Sequence, residues 1–183
     1  MERFKKYKFF AHLFAYPERK EDFFKALKGF YPFEDLKPLE ELQKVAFEEI
    51  QAEYTSLFVA NFPKVPCKPY QSFFESQTLM GEPTFRCEKF YRLFNLETGK
   101  ELPDAVYVEL DFCAFLIKLK EESPYGEDKG KLEVIFREFF KTCVAWMERF
   151  AQCVKKNTGL KPLRELTTLF ERFIREEREK LGV

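Results

Sequence analysis

The sequence predicts an all-α fold, a single-domain bundle of about six to eight helices over residues 1–183. Three observations carry this. Apolar residues recur at three- and four-residue steps along most of the chain. The ten prolines and seven glycines fall mostly between those periodic segments. No convincing strand alternation appears; "AVYVEL" comes nearest, but it runs straight into helical periodicity.

Phe4, Tyr7, Phe10, Leu13 and Phe14 form the stripe of a first helix over 3–15, which ends before Pro17. A short helix over 18–28 carries Phe23, Phe24 and Leu27 and stops at Gly29. From Pro38, the residues Leu39, Leu42, Val45, Ala46, Ile50, Tyr54, Leu57 and Phe58 read as one long stripe. Phe85, Cys87, Phe90, Tyr91 and Phe94 fit a helix from about Glu82. Asp104 suits the N-cap of a helix running to about Glu121, with Val108, Phe112, Phe115, Leu116 and Leu119 inward. "SPYGEDKGK" reads as a loop, then one long helix covers about 130–156 and is apolar over a wide arc. A last helix covers about 161–180, with Leu163, Leu166, Leu169, Phe170, Phe173 and Ile174 inward.

Composition narrows the function classes. With 31 basic and 31 acidic residues the chain has no net charge, hence no global field to draw nucleic acid or anionic lipid. No apolar run reaches the length of a membrane span, so no membrane insertion is expected. The N-terminal "MERFKKYKFFAHLF" reads as an amphipathic helix, not a signal peptide, and no Arg-Arg pair occurs, so a cytoplasmic location is expected. No two of Cys67, Cys87, Cys113, Cys143 and Cys153 have zinc-ribbon or redox-pair spacing. Cys113, Cys143 and Cys153 fit helical core positions. Cys67 stands in a loop as a candidate free thiol, and nothing in the sequence supports a disulfide.

Catalytic signals are weak. His12 is the single histidine and reads as structural or surface. No Glu-x-x-His motif and no Gly-rich phosphate loop occurs, so no metal and no cofactor is expected. Glu82 and Asp104 lie near helix starts, where carboxylates ordinarily complement free N–H groups. Glu109 sits near an apolar face and needs a partner, either an internal ion pair or a ligand contact.

The stretch "EYTSLFVANFPKVPCKPYQSFFESQTLMGEPT", residues 53–84, breaks the periodicity and concentrates proline and aromatic residues. Tyr70, Phe73 and Phe74 there either cover the end of the bundle or form a recognition surface. In the second case, rigid Pro-shaped walls suit the apolar part of a peptide, and nearby carboxylates suit its basic part.

These segments resemble the TorD/DmsD/NarJ family of redox-enzyme maturation chaperones. The matching residues are Glu53-Tyr54-Leu57-Phe58, Pro69-Tyr70-Ser72, Gly81-Glu82-Thr84, and Pro103-Asp104 with Glu109-Leu110-Phe112. "FKTCVAWMERF" is similar to the family's Trp-containing helix and supplies Trp146. The chain departs from the family at Ala105, where relatives carry a histidine linked to leader-peptide binding.

The resemblance implies a non-enzymatic cytoplasmic chaperone. Its partner would be a molybdopterin-containing oxidoreductase catalytic subunit, bound through its twin-arginine leader or another segment until cofactor insertion. Tyr54, Leu57, Phe58, Pro69, Tyr70, Ser72 and Phe73 are then the candidate wall, with Tyr54, Leu57 and Phe58 also expected to anchor the segment in the bundle. Glu82, Asp104, Glu109 and Asp111 are the candidate acceptors of basic groups. Either a monomer or a homodimer is compatible. Two other readings stand beside it: a metal-dependent helical-bundle hydrolase, and a structural subunit retained in a respiratory complex.

Overall fold

A computed structural model describes residues 1–183. Ten α-helices follow in order: α1 (Glu2–Phe14), α2 (Lys20–Phe30), α3 (Lys37–Lys44), α4 (Phe47–Tyr54), α5 (Gln71–Ser76), α6 (Glu82–Arg92), α7 (Val106–Glu122), α8 (Gly126–Phe139), α9 (Met147–Asn157) and α10 (Lys161–Leu181). Two π-helical turns, Thr55–Val59 and Phe140–Val144, extend α4 and α8. The only β pairing is an isolated antiparallel bridge between Tyr70 and Ala105. No helix is long and apolar enough to cross a membrane.

The all-α expectation holds, while three departures raise the helix count. The stripe from Pro38 is broken at Val45 and Ala46, whose ψ angles of 139° and 136° are extended. No proline or glycine marks the break. Tertiary packing overrides helix propensity: α3 lies on α10, while Tyr54 of α4 donates its hydroxyl to the Leu13 carbonyl of α1. The long helix expected over 130–156 starts earlier, at Gly126, and is interrupted by the π turn and by Ala145–Trp146. The aromatic connection contains the unanticipated α5. Gly29 lies within α2 rather than ending it.

The core is one cluster built largely from Phe. The α1 and α7 helices pack against each other along their length, and α9 lies on α10. Phe10 and Phe14 of α1 meet Phe170 of α10 with ring centroids 4.9 and 4.8 Å apart. Such tilted and edge-on contacts add to the stabilisation from burial. The high Phe content therefore goes mainly into the interior. His12 is half-buried and stacks on Phe30 at 5.4 Å.

One covalent tie crosses the bundle. Cys67 and Cys153 form a disulfide with Cα atoms 5.8 Å apart, which corrects the reading of Cys67 as a free thiol and of Cys153 as a core thiol. The two are separated by 86 residues, so sequence spacing carried no trace of the pairing. The bond fixes the Pro-rich connection onto α9, and the Cys67 N–H donates to the Leu57 carbonyl.

Candidate functional site

The chain between the π turn at Thr55–Val59 and α7, together with α7 and the second π turn, holds a buried polar knot, a buried thiol–carboxyl cluster and exposed apolar side chains.

The knot centres on Asp104, which is 0 % exposed. Its Oδ2 accepts the Ser72 backbone N–H at 2.8 Å, and its Oδ1 accepts the Thr84 hydroxyl at 2.9 Å. The Asp104 carbonyl accepts the Gln71 N–H, and the Pro69 carbonyl accepts the Val106 N–H, both at 3.0 Å. Asp104 was expected to cap its own helix. The N-cap of α7 is instead Ala105, without a side-chain bond, and the Asp104 carboxylate serves the first turn of α5. A carboxylate on free N–H groups at a helix start is the favoured polarity. The "PYQS", "GEPT" and "LPD" segments thus meet at one residue. Ser72 contributes its backbone; its hydroxyl has no partner within the chain.

The thiol–carboxyl cluster surrounds Glu109, also 0 % exposed. Its Oε1 accepts the Cys87 thiol at 3.1 Å and its Oε2 accepts the Trp146 indole N–H at 3.0 Å. Glu109 therefore has no basic partner within the chain; the Cys87 thiol and the Trp146 indole take the place of the ion pair that was one of its two expected arrangements. Burial pushes its carboxyl well above the usual range, with the neighbouring Cys143 acting in the same direction. Burial likewise pushes the Cys87 thiol up.

The remaining expected wall residues divide. Tyr54, Leu57, Phe58 and Pro69 are buried. Tyr54 meets Phe23 and Phe58 edge-on at 6.1 and 5.4 Å, which is the anchoring arrangement. Tyr70 and Phe73 are half-buried. The Lys68 ammonium sits 5.4 Å from the Phe73 ring centroid, a cation–π arrangement. Phe74 turns inward between Trp146 and Phe150, at 5.2 and 6.1 Å.

Of the expected acceptors, Glu82 is exposed and pairs with Arg86 at 2.9 Å. Arg86 also reaches Glu75 at 3.2 Å. Asp111 is exposed, but it pairs with Lys8 of α1 at 2.8 Å, away from Glu109. Two residues along a helix is about 200° of rotation, which separates those carboxylates onto different faces.

The outer surface includes residues that sequence reasoning did not select. Leu79 and Met80, between α5 and α6, are exposed, Met80 to 63 %, and Phe85 in the first turn of α6 is 55 % exposed. Phe85 was grouped with the inward stripe of its helix, but Cys87 and Tyr91 define the buried face and Phe85 points opposite. The 200° step from Cys87 to Phe85 was the available signal. Phe62, in the Pro-rich connection, is 94 % exposed.

Comparison with known proteins fits this architecture. A crystal structure of a proposed redox enzyme maturation protein from Archaeoglobus fulgidus superimposes with a TM-score of 0.67 and 27% identity, over 94% of this chain and 93% of that one. The fold is that of a redox enzyme maturation protein. The sequence profile of the nitrate reductase delta subunit family matches residues 18–152, and the chain belongs to that family, of the NarJ/TorD chaperone type. No protein of curated function matches the sequence.

Proposed function

We propose that this protein is a cytoplasmic chaperone for a molybdopterin-containing oxidoreductase subunit. It binds the subunit's twin-arginine leader, or another segment, and holds it until the cofactor is inserted. The family and the fold support the maturation role. The observation that carries the peptide-binding reading is the exposure of Leu79, Met80 and Phe85 beside the Glu75 and Glu82 carboxylates. Exposed apolar side chains on a rigid frame suit the apolar stretch of a leader. The carboxylates already hold one guanidinium, Arg86, and an arginine pair of a client competes for the same oxygens. The Phe73 ring offers a second cation-accepting face.

Under this reading Tyr70, Phe73 and Glu82 stay in the contact surface. Tyr54, Leu57, Phe58, Pro69, Ser72, Asp104 and Glu109 act as its frame. Asp111 serves the α1–α7 pair. Calorimetric titration with the twin-arginine leader peptide of a candidate molybdopterin subunit tests it. Saturable heat supports leader binding, whereas no heat and no competition would remove the leader and leave a mature region of the client.

A further inference from the structure

Beneath that surface lies a group of ligating atoms that the chaperone reading does not use. The Sγ atoms of Cys87 and Cys143 and a carboxylate oxygen of Glu109 all lie within 4.8 Å of one another, and all three residues are buried. A fourth donor stands at the same place: Gln71 Oε1 is 3.6 Å from Cys87 Sγ. The four come from α5, α6, α7 and the π turn at Phe140–Val144. They are far apart in sequence, which is why spacing between cysteines suggested no metal.

We propose that Cys87, Cys143, Glu109 and Gln71 form a structural site for a thiolate-seeking divalent ion of the zinc class. Tetrahedral zinc with Zn–S near 2.3 Å and Zn–O near 2.0 Å requires S···O separations of about 3.5 Å and an S···S separation of about 3.8 Å. The Cys87–Glu109 distance of 3.1 Å and the Cys87–Gln71 distance of 3.6 Å bracket the first of these values.

The surrounding bonds orient the donors as outer partners of a metal do. The Trp146 indole N–H holds the second oxygen of Glu109 at 3.0 Å, leaving Oε1 turned toward the thiols. The Gln71 side-chain N–H group donates to the Thr142 carbonyl at 2.7 Å, which fixes its oxygen toward Cys87. Cys143 lies on a π-helical turn, a local widening that recurs at functional sites.

Binding releases the two thiol protons and the Glu109 carboxyl proton to solvent, and the dication then balances most of the charge created in the core. Three donors on one ion tie α6, α7 and the π turn together, and Gln71 adds α5. The site is closed, with no open coordination position, so its role is structural.

The test uses the full chain, stripped with chelator, reloaded with Zn²⁺ and desalted. The expected results are one zinc per chain by elemental analysis, a raised Tm, and thiolate-to-metal charge-transfer absorption when Co²⁺ replaces zinc. Cys87→Ala and Cys143→Ala are each expected to lose the bound metal, while Cys113→Ala, which removes a buried thiol outside the cluster, keeps it. Circular dichroism establishes that each variant is folded. For a variant that is not, the Co²⁺ spectrum of the unmodified chain still reports thiolate ligation. Substoichiometric zinc, a cobalt spectrum without thiolate bands, or folded Cys87 and Cys143 variants that retain zinc would each overturn the proposal.

Discussion

Asp104 accepts the backbone N–H of Ser72 at 2.8 Å, joining residues 32 positions apart in the interior. With Thr84 on its other oxygen, it fixes where α5 and α6 start relative to α7. The outer surface of Leu79, Met80 and Phe85 hangs from that junction.

Asp104→Ala leaves the Ser72 N–H and the Thr84 hydroxyl buried without partners. Each such group costs about 1–3 kcal/mol, so a loss of roughly 2–5 kcal/mol is expected. Asp104→Asn keeps one carbonyl oxygen, and the Thr84 hydroxyl can accept from the new amide, so its loss is expected to be about half. Denaturant titration of the two variants reads the difference directly.

The Cys67–Cys153 disulfide closes a loop of 86 residues. The chain-entropy argument gives a stabilisation of about 4–5 kcal/mol for a loop of this size, before any native-state strain. Cys67→Ser, or reduction, is expected to lower Tm and increase proteolysis within the Pro-rich connection. An unchanged Tm under reducing conditions would remove the disulfide from the stability account.

Glu109 is held protonated by burial, its folded pKa lying well above the ordinary 4.5. The folded state thus binds more protons than the unfolded state once pH exceeds that value, and stability falls as pH rises. The contribution is complete below pH 4.5 and is lost through the folded pKa, at up to about 1.4 kcal/mol per pH unit. Cys143 and Asp104 face the same region and add to the cost of ionising it, while the hydrogen bonds from Cys87 and Trp146 act the other way without outweighing burial. Glu109→Gln preserves an acceptor for the Trp146 N–H and is expected to flatten this dependence above pH 4.5, as measured by thermal unfolding of the metal-free chain. A slope retained in the variant would contradict the assignment.

Tyr54→Phe removes only the hydroxyl that donates to the Leu13 carbonyl. The expected cost is about 1 kcal/mol of stability, with peptide affinity unchanged, because Tyr54 is 0 % exposed. A drop in affinity with no change in stability would place Tyr54 in the contact surface after all.

The periodic part of this molecule was legible because burial of one helix face leaves a local pattern. Phe10, Leu13, Phe170 and Phe173 are examples, and all four are buried. What was not legible is non-local. The break at Val45 has no local breaker and follows from how α3 and α4 pack on different neighbours. The Asp104 junction spans 32 and 20 residues to its two partners, and its side chain caps a helix other than its own. The motif residues were therefore recognised as a set, while the division between buried frame and exposed surface required the fold. Ala105 illustrates this: it is buried and bridges to Tyr70, so it is a packing position here, which its place after Pro103-Asp104 did not disclose.

The most direct measurement of the central claim is calorimetric titration of the client's twin-arginine leader peptide into the unmodified chain and into Met80→Glu and Phe85→Glu. Both residues are largely exposed, so their substitution is expected to leave Tm within a few degrees. The account predicts saturable binding by the unmodified chain and at least a tenfold loss in each variant. Leader binding at full affinity in both variants would contradict it.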